Sequence, residues 1–390
     1  MPYLNECGIV CSLGDSHDKI KTRLFEQASS GVSVTQDWSA RPLPLGCVDG
    51  PLVDMRDWPP AQCSRNNQLA LTALQQIRAA VDAAIARYGA HRVGVVVGTS
   101  TSGIAGTETA LRHRATHGAL PDSFHYEQQE MGSPAAMLAM ALGISGPAYV
   151  HSSACSSSAK AMASAARLIN MGLCDAVLTG GVDSLCAFTV AGFSALESVS
   201  DTQCNPLSVN RKGINIGEGA ALFLMSREPA RVALRGWGES SDGHHMSAPD
   251  PSGSGARLAI AQALKRAGVE AADIDYINLH GTATLQNDAM ESRVIHELFG
   301  DRVAVSSTKP FTGHALGAAA AIEAALCWLA MQNEEGRLPP HLWDGVSDPA
   351  LPKLNVAIPG AVLGRPLRWA LSNSFAFGGS NATLVLGREA

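Results

Sequence analysis

Charged and aromatic residues are scarce in this chain of 390 residues. Charged side chains make up 16% of the residues and aromatic ones 5%, whereas hydrophobic residues reach 46%. The net charge of −6 lacks the basic surplus typical of nucleic-acid-binding proteins, so we predict no nucleic-acid partner. A monomer with so few charged side chains would expose apolar surface, so we expect extensive subunit contact. The length exceeds what one hydrophobic core usually serves, so we expect two domains or two fused halves.

Paired cysteines, targeting signals and long apolar runs are missing as well. The nine cysteines are scattered without a C-x-x-C pair, and their odd number is typical of reduced thiols. No apolar run reaches the roughly 18 residues of a membrane-spanning helix. Residues 1–6 show no basic segment followed by an apolar one. These absences predict a cytoplasmic protein with no membrane partner.

The common cofactor and metal motifs are also absent. The chain has no G-x-x-x-x-G-K-[ST] phosphate loop, no convincing G-x-G-x-x-G after a strand, no H-E-x-x-H and no zinc-spaced thiols. His244 and His245 are adjacent, which is a poor start for a metal site. We therefore predict no bound cofactor and no metal.

The chain does contain a repeated pattern. Residues 93–97 form a β-branched run that leads into Gly-Thr-x-Thr at 98–101. Residues 276–279 read as a strand of the same kind and lead into Gly-Thr-x-Thr at 281–284. A strand, a Gly-Thr-x-Thr loop and a helical stretch therefore occur twice.

Two more pairs of matching segments follow in the same order. The strands 148–150 and 303–305 each precede a small-residue loop and an alanine-rich helix. The strand 176–179 with the glycines 180–181 has its counterpart in the strand 369–372 with the glycines 378–379. The two predicted helices cover residues 157–171 and 318–331. Alternating strands and helices predict mostly parallel sheets flanked by helices, and the repetition predicts an internal duplication joined near residues 226–237. Duplicated α/β halves place their site where loops from the carboxyl ends of strands converge.

Cys155 lies between a predicted strand and a predicted helix, among serine and alanine residues. The positive end of the helix dipole is expected to stabilise the thiolate there and to lower the pKa of the thiol. A thiolate attacks carbonyl carbon, so Cys155 is a candidate nucleophile. The alternative is a small buried hydrophobic residue, which describes most cysteines. We assign that alternative to the other eight.

Two histidines in the second half complement this thiol. His280 ends a strand and His314 begins a helical stretch; taken singly, each is more often a structural residue. Together, two neutral imidazoles that present N–H groups would stabilise a developing enolate oxygen. Lys309 is predicted to pair with Glu323 or to disfavour protonation of the imidazoles, the alternative being an ordinary solvated lysine.

A glycine loop at residues 375–381 lies between two predicted strands near the C-terminus. Glycine lets backbone N–H groups approach a ligand closely. One such N–H, together with that of Cys155, would form an oxyanion hole for acyl transfer. The alternative is an ordinary turn.

Together these segments resemble the elongating β-ketoacyl-[acyl carrier protein] synthases, which have a thiolase-like fold. The similarity runs from Gly8 to Asn381. The matching segments are residues 153–157, 205–219, 280–284, 309–314 and 373–379. The resemblance implies a layered α-β-α-β-α core built from two duplicated α/β halves. Residues 1–230 would carry the nucleophile and residues 231–390 the catalytic histidines.

The family's catalytic residues match positions of this chain one by one. The resemblance implies a triad of Cys155, His280 and His314, supported by Lys309 and Glu323. Asp288 and Glu291 match the acids after the first histidine, and Thr282 and Thr284 match contacts of the phosphopantetheine arm. The implied substrate contacts are Phe193, Phe375 and Phe377, and Phe377 is also the implied gate and second oxyanion donor. The implied carrier-docking residues are Arg65, Arg211 and Lys212. For those three cations, ordinary surface charge is the alternative.

The resemblance implies a two-stage reaction with carrier-bound substrates. An acyl group moves to Cys155, and a malonyl-carrier then loses carbon dioxide and attacks it to give a β-ketoacyl-carrier in fatty acid or polyene/polyketide biosynthesis. The implied partners are an acyl carrier protein and either a second copy of the chain or a chain-length-factor-like subunit. The substrates would be carried on phosphopantetheine.

Departures from the family pattern sharpen this resemblance. Ala376 stands where glycine is usual and Ser380 where threonine is usual, and the chain is similar to the ketosynthases of aryl-polyene clusters. A thiolase would need a second cysteine in the loop 376–381, which has none, and a starter-unit synthase would carry asparagine at His314. A non-catalytic chain-length-factor-like protein remains an alternative, although such proteins typically lose the nucleophile.

Overall fold

The computed structural model describes residues 1–389, and eleven of its strands form one hydrogen-bonded sheet. The strands are β1 (Tyr3–Cys11), β2 (Ser33–Thr35), β3 (Leu43–Leu45), β4 (Val93–Gly98), β5 (Ala148–His151), β6 (Ala176–Asp183), β7 (Gly219–Ser226), β8 (Val232–Ser241), β9 (Tyr276–Asn278), β10 (Ala304–Ser306), β11 (Asn355–Val356), β12 (Trp369–Ala376) and β13 (Ser380–Arg388). The order in the sheet is β11-β10-β9-β12-β13-β8-β1-β7-β6-β4-β5, and β2 pairs with β3 separately.

Ten α-helices connect and cover these strands. They are α1 (His17–Lys21), α2 (Arg65–Tyr88), α3 (Ile104–His117), α4 (Ser133–Leu142), α5 (Ser157–Asn170), α6 (Ala187–Ala195), α7 (Ser254–Ala267), α8 (Leu285–Phe299), α9 (Lys309–Thr312) and α10 (Ala319–Met331). Among residues 1–389, no helix is both long and apolar enough to cross a membrane.

Ten of the eleven strands form two equivalent sets of five, and β11 pairs with β10 at one edge of the sheet. In the first set β4 is parallel to β5 and β6, while β7 is antiparallel to β6 and β1. In the second set β9 is parallel to β10 and β12, while β13 is antiparallel to β12 and β8. The pair Tyr3 and Ala233 joins the sets through β1 and β8. The predicted duplication is confirmed, since order and direction are the same in both sets.

Two alanine-rich helices, α5 and α10, lie between the two sets of strands and contact each other. All thirteen residues of α10 are buried, which is why the segment has no polar face. Small side chains on these helices let the two sets of strands approach from either side. Helices α2 and α4 cover the outer face of the first set, and α7 covers that of the second. The predicted layered thiolase-like architecture is confirmed.

The loops that carry the candidate residues lie at the carboxyl ends of parallel strands. Cys155 follows β5, His280 follows β9, and Phe377 follows β12. The end of β4 packs tightly on the start of α5, because a Cβ on Gly98 would lie 2.3 Å from the backbone nitrogen of Ser158. The predicted division at residue 230 falls in the connection between β7 and β8, and the independence of the two halves stays a prediction.

Candidate active site

Cys155 lies in a strained turn that leads from β5 into α5. The preceding residue, Ala154, has φ of +50°, a left-handed conformation that side chains with a Cβ rarely adopt. The Ser157 hydroxyl fixes the turn: it accepts a hydrogen bond from the backbone N–H of Ser153 at 2.8 Å and donates one to the carbonyl of Ala154 at 2.6 Å. Strained backbone persists where its surroundings hold it in place, and such positions are concentrated at functional sites.

The three residues of the predicted triad meet in the buried space between the two halves. His314 Nε2 lies 3.1 Å from Cys155 Sγ. The rings of His280 and His314 are edge to face, with centroids 5.4 Å apart. The thiol comes from the first half and both imidazoles from the second, so neither half could form the group alone.

Lys309 is buried next to His280 and forms an ion pair with Glu323. Its ammonium group lies 3.4 Å from His280 Nδ1, and because an ammonium only donates, Nδ1 accepts and the ring proton is on Nε2. Burial and the Lys309 charge hold the pKa values of His280 and His314 well below the usual range. Both imidazoles are therefore neutral at physiological pH, and His280 offers its Nε2–H to the site.

The Cys155 side chain is a protonated thiol at physiological pH. Burial raises its pKa to about 11, and the charge of Lys309 and the backbone N–H groups of Phe377 and of Cys155 itself offset only part of this effect. The expectation of a lowered pKa from the helix terminus was wrong, because loss of hydration outweighs the helix dipole at a site only 4% exposed. A base must therefore remove the proton, and His314 is in hydrogen-bonding distance.

The backbone N–H groups of Phe377 and Cys155 both lower the pKa of the Cys155 thiol, so they lie close enough to the sulfur to stabilise negative charge there. This is the pair of donors predicted for the oxyanion hole. The loop that carries Phe377 is held from outside, because Gly378 donates to the carbonyl of Met246 and Asp242 donates to that of Gly379, both at 2.8 Å. The ring of Phe377 lies 5.4 Å from that of Phe193. As a site of hydrogen-bond donation to an oxyanion, the arrangement stays a prediction.

Two buried carboxylates fix the loop that begins at His280. Glu291 accepts hydrogen bonds from the backbone N–H groups of His280 and Gly281, both at 2.8 Å. Burial raises the pKa of Glu291 to about 7. Asp288 accepts from the N–H of Ala283 at 3.2 Å. Both acids accept hydrogen bonds from the backbone of the loop and so hold it in place.

A narrow cavity opens onto Cys155. The predicted substrate contacts all line it, namely Thr282, Thr284, Phe193, Phe375 and Phe377. The residues that the sequence did not indicate are Ser198, Ile214, Ser247, Pro249, Gln286 and Asn287. Ser198, Ile214, Ser247 and Pro249 lie in irregular segments, so no helical or strand periodicity could have identified them.

The three predicted carrier-docking residues differ in exposure and in their ion pairs. Arg211 is wrong as a docking residue, because its side chain is only 4% exposed and pairs with Asp348 at 2.5 Å. The guanidinium of Arg65 is occupied by the buried carboxylate of Glu218. Lys212 is exposed, and its docking role stays a prediction.

The sulfur and imidazole nitrogens of Cys155, His280 and His314 lie within 4.8 Å of one another. Within residues 1–389, no other group of three or more histidines, cysteines and acidic residues gathers in this way. Three neutral groups around a cavity, with two backbone donors beside the sulfur, suit acyl transfer to a thiol followed by stabilisation of an enolate.

Comparisons with known proteins agree with this geometry. The β-ketoacyl synthase N-terminal domain matches residues 52–230 and the C-terminal domain matches residues 232–342. A relative named 3-oxoacyl-[acyl-carrier-protein] synthase 2, from Rhizobium meliloti, is 36% identical over 76% of this chain and 74% of its own length. Nodulation protein E from the same species is 36% identical over 76% of this chain and 75% of its own length.

Solved structures extend the similarity to the whole chain. The ketosynthase ApeO of Xenorhabdus doucetiae, solved in complex with its chain length factor ApeC, superposes with a TM-score of 0.93 and 45% identity over 100% of this chain and 98% of that one. A β-ketoacyl synthase from Burkholderia phymatum superposes with a TM-score of 0.88 and 27% identity, over 100% of this chain and 99% of that one. The chain therefore belongs to the β-ketoacyl synthase family of acyltransferases.

Proposed function

We propose that this chain elongates carrier-bound acyl groups by decarboxylative condensation at Cys155. The observation that carries the proposal is the 3.1 Å contact between Cys155 Sγ and His314 Nε2. The neutral imidazole of His280 lies beside it, in the same buried cavity. A non-catalytic role would not require these three groups to converge.

The first half-reaction loads the enzyme. His314 takes the thiol proton while the sulfur of Cys155 attacks the acyl thioester, and the N–H groups of Cys155 and Phe377 donate to the oxyanion. The tetrahedral intermediate collapses, and the carrier leaves as a thiol that receives the proton from His314. The result is an acyl thioester on Cys155 and a neutral imidazole again.

The second half-reaction forms the carbon–carbon bond. Malonyl-carrier enters, and the Nε2–H of His280 donates to its thioester oxygen as carbon dioxide departs. His314 donates to the same oxygen once its single ring proton has moved from Nδ1 to Nε2. The electron pair left on the α-carbon attacks the acyl carbonyl on Cys155. The C–S bond to Cys155 breaks, the sulfur leaves as thiolate and takes a proton from solvent, and the product is a β-ketoacyl-carrier.

The substrate arm would pass the loop that contains Thr282 and Thr284. Their hydroxyls lie 2.9 Å apart and both line the cavity. A phosphopantetheine arm carries amide groups that such hydroxyls can bind, so the substrates supply the only prosthetic group the reaction needs. Surface charge at Lys212 would contribute to binding of an acyl carrier protein in the cytoplasm.

A specialised pathway and a heterodimer are the finer parts of the proposal. The 45% identity with the ketosynthase ApeO, which was solved with a chain length factor, supports an aryl-polyene-type function and a partner of that kind. The small number of charged residues is consistent with extensive subunit contact. A homodimer in fatty acid synthesis is the alternative for the same chemistry.

Acyl transfer to the protein tests this function directly. The purified chain is incubated with a panel of acyl-carrier thioesters, with and without a chain-length-factor partner, and peptide mass spectrometry locates the added mass. We expect an acyl group on Cys155 that malonyl-carrier discharges with a gain of two carbons, and none in Cys155→Ala. If no acyl group forms on Cys155 under either condition, the proposal is wrong.

A further inference from the structure

One buried carboxylate has no part in the proposed reaction. Asp183 ends β6, is fully buried, and forms no salt bridge among residues 1–389. The first Gly-Thr-x-Thr loop surrounds it with donors. The donors are the hydroxyls of Thr99 and Ser100 at 2.6 Å, the hydroxyl of Thr101 at 2.8 Å, and the backbone N–H groups of Ser100 and Thr101 at 2.9 Å.

The remaining donor to Asp183 comes from the other half of the molecule. The backbone N–H of Gly317 donates to Asp183 Oδ2 at 2.6 Å, and Gly317 lies three residues after His314. The intervening Leu316 is buried with φ of +47°, so the turn is strained and needs outside support. A Cβ at position 317 would lie 2.6 Å from Asp183 Oδ2, so only glycine allows the contact.

The ring of His314 has little support of its own. Within residues 1–389 its buried Nδ1 has no hydrogen-bond partner, whereas a catalytic imidazole is usually oriented through that second nitrogen. The ring direction therefore depends on the backbone on either side. On one side His314 N–H donates to the carbonyl of Asn215 at 2.6 Å and the His314 carbonyl accepts from Gly217 at 2.9 Å. On the other side the support is Asp183, through Gly317.

We infer that Asp183 is a positioning residue that holds His314 at hydrogen-bonding distance from Cys155 through the backbone of Gly317. The inference rests on the proposed function of His314. A charged acceptor suits this task, because hydrogen bonds to carboxylates are shorter and stronger than those to neutral oxygens. The Asp183 carboxylate also joins the loop 98–101 of the first half to the turn at Leu316 and Gly317 of the second half.

Asp183→Asn tests the role with nearly unchanged shape. Oδ1 accepts from Thr99 and Thr101, so the new amide nitrogen is expected at the Oδ2 position, where it would face the Gly317 N–H with a second donor. The turn should then shift and take His314 with it. We expect kcat for condensation to fall by about 10- to 100-fold with KM for malonyl-carrier little changed.

A second readout needs no carrier substrate. The rate of Cys155 alkylation by iodoacetamide at pH 8 depends on transfer of the thiol proton toward His314. In Asp183→Asn we expect that rate to fall by about tenfold. Because the reagent is small and unrelated to the substrate, the result is independent of whether acyl carriers are recognised.

Two further variants keep the test decisive. Thr101→Val removes a donor to Oδ1 but leaves the Gly317 contact, so it should lower stability while alkylation stays within about twofold of the wild-type rate. If Asp183→Asn does not fold, Ser100→Ala replaces it, since the Ser100 hydroxyl donates to Oδ2 and accepts from Gly317 N–H at 3.3 Å. We expect an intermediate decrease in alkylation for Ser100→Ala.

The outcomes separate the two proposals. Wild-type alkylation in the folded Asp183→Asn or Ser100→Ala variant, or an equal decrease in Thr101→Val, would overturn the positioning role. A wild-type protein that elongates no acyl group but shows the expected order of alkylation rates would refute the proposed function and support the positioning of His314 by Asp183.

Discussion

The two Gly-Thr-x-Thr loops of this protein, residues 98–101 and 281–284, follow equivalent strands yet face different surroundings. In the first loop the hydroxyls of Thr99 and Thr101 both donate to the buried Asp183. In the second the hydroxyls of Thr282 and Thr284 line the cavity at Cys155. One loop is closed by a carboxylate and the other is open to substrate.

The register of the strands shows how this difference arises. β4 pairs with β6 so that Gly98 lies opposite Gly181, and β9 pairs with β12 so that Asn278 lies opposite Ser372. Counting along both pairs from the matched loop glycines puts Asp183 and Phe377 at equivalent positions. A carboxylate there fills the first loop, whereas an aromatic ring there leaves the second loop accessible. The same scaffold therefore serves as a structural anchor in one half and as a substrate loop in the other.

The first half of the molecule carries the proposed nucleophile. Replacing it in Cys155→Ala has the largest expected effect. Without the thiol no acyl-enzyme forms, so condensation should fall below detection in an assay of β-ketoacyl-carrier formation. Cys63→Ala, which changes a cysteine outside the cavity, should retain activity. Elongation by the Cys155 variant would mean that another group carries the acyl chain.

The second half is expected to supply the decarboxylation step. His280→Ala removes a donor to the enolate oxygen, so condensation should fall by about 10²- to 10³-fold. Acylation of Cys155, followed by mass spectrometry, should fall less, because His314 and the oxyanion donors remain. His296→Ala on the protein surface is the matched control. Equal loss of both half-reactions would contradict the division of roles.

The pH dependence of Cys155 alkylation tests how strongly burial raises the pKa of the thiol. Because burial raises the pKa of Cys155 to about 11, the thiolate fraction is still far from complete at pH 9. The iodoacetamide rate should therefore go on rising between pH 8 and 10 without reaching a plateau. A free thiol of ordinary pKa, near 8.5, should level off over this range. A plateau of the protein below pH 9 would show that the site stabilises the thiolate.

Matched substitutions in the two loops produce the smallest effects but bear most directly on the comparison. Thr282→Val should raise KM for malonyl-carrier by about fivefold, since it removes one hydrogen bond to substrate. Thr99→Val should leave KM unchanged and lower the free energy of unfolding by ~1–3 kcal/mol, since Asp183 loses a donor. Steady-state kinetics and denaturant unfolding measure the two. If Thr99→Val changes KM and Thr282→Val changes only stability, the assignment of the loops is reversed.

Much of the fold and the site was predictable because local sequence patterns indicate it. The β-branched run at 93–97 and the alanine-rich segment at 157–171 became β4 and α5 with boundaries shifted by a single residue. Their repetition in the second half predicted the duplicated topology. Cys155 and His280 were identified as reactive side chains that follow strands, and His314 as one that precedes a helical stretch.

The sequence by itself determined the repeated elements, the kinds of reactive group and the family. The tertiary structure alone decided the burial that raises the pKa of Cys155, the withdrawal of Arg211 from the surface, and the contact of Asp183 with Gly317. Secondary structure depends on neighbours in the chain, so a local pattern predicts it. Burial and electrostatic surroundings depend on segments more than a hundred residues apart, and only folding brings those together.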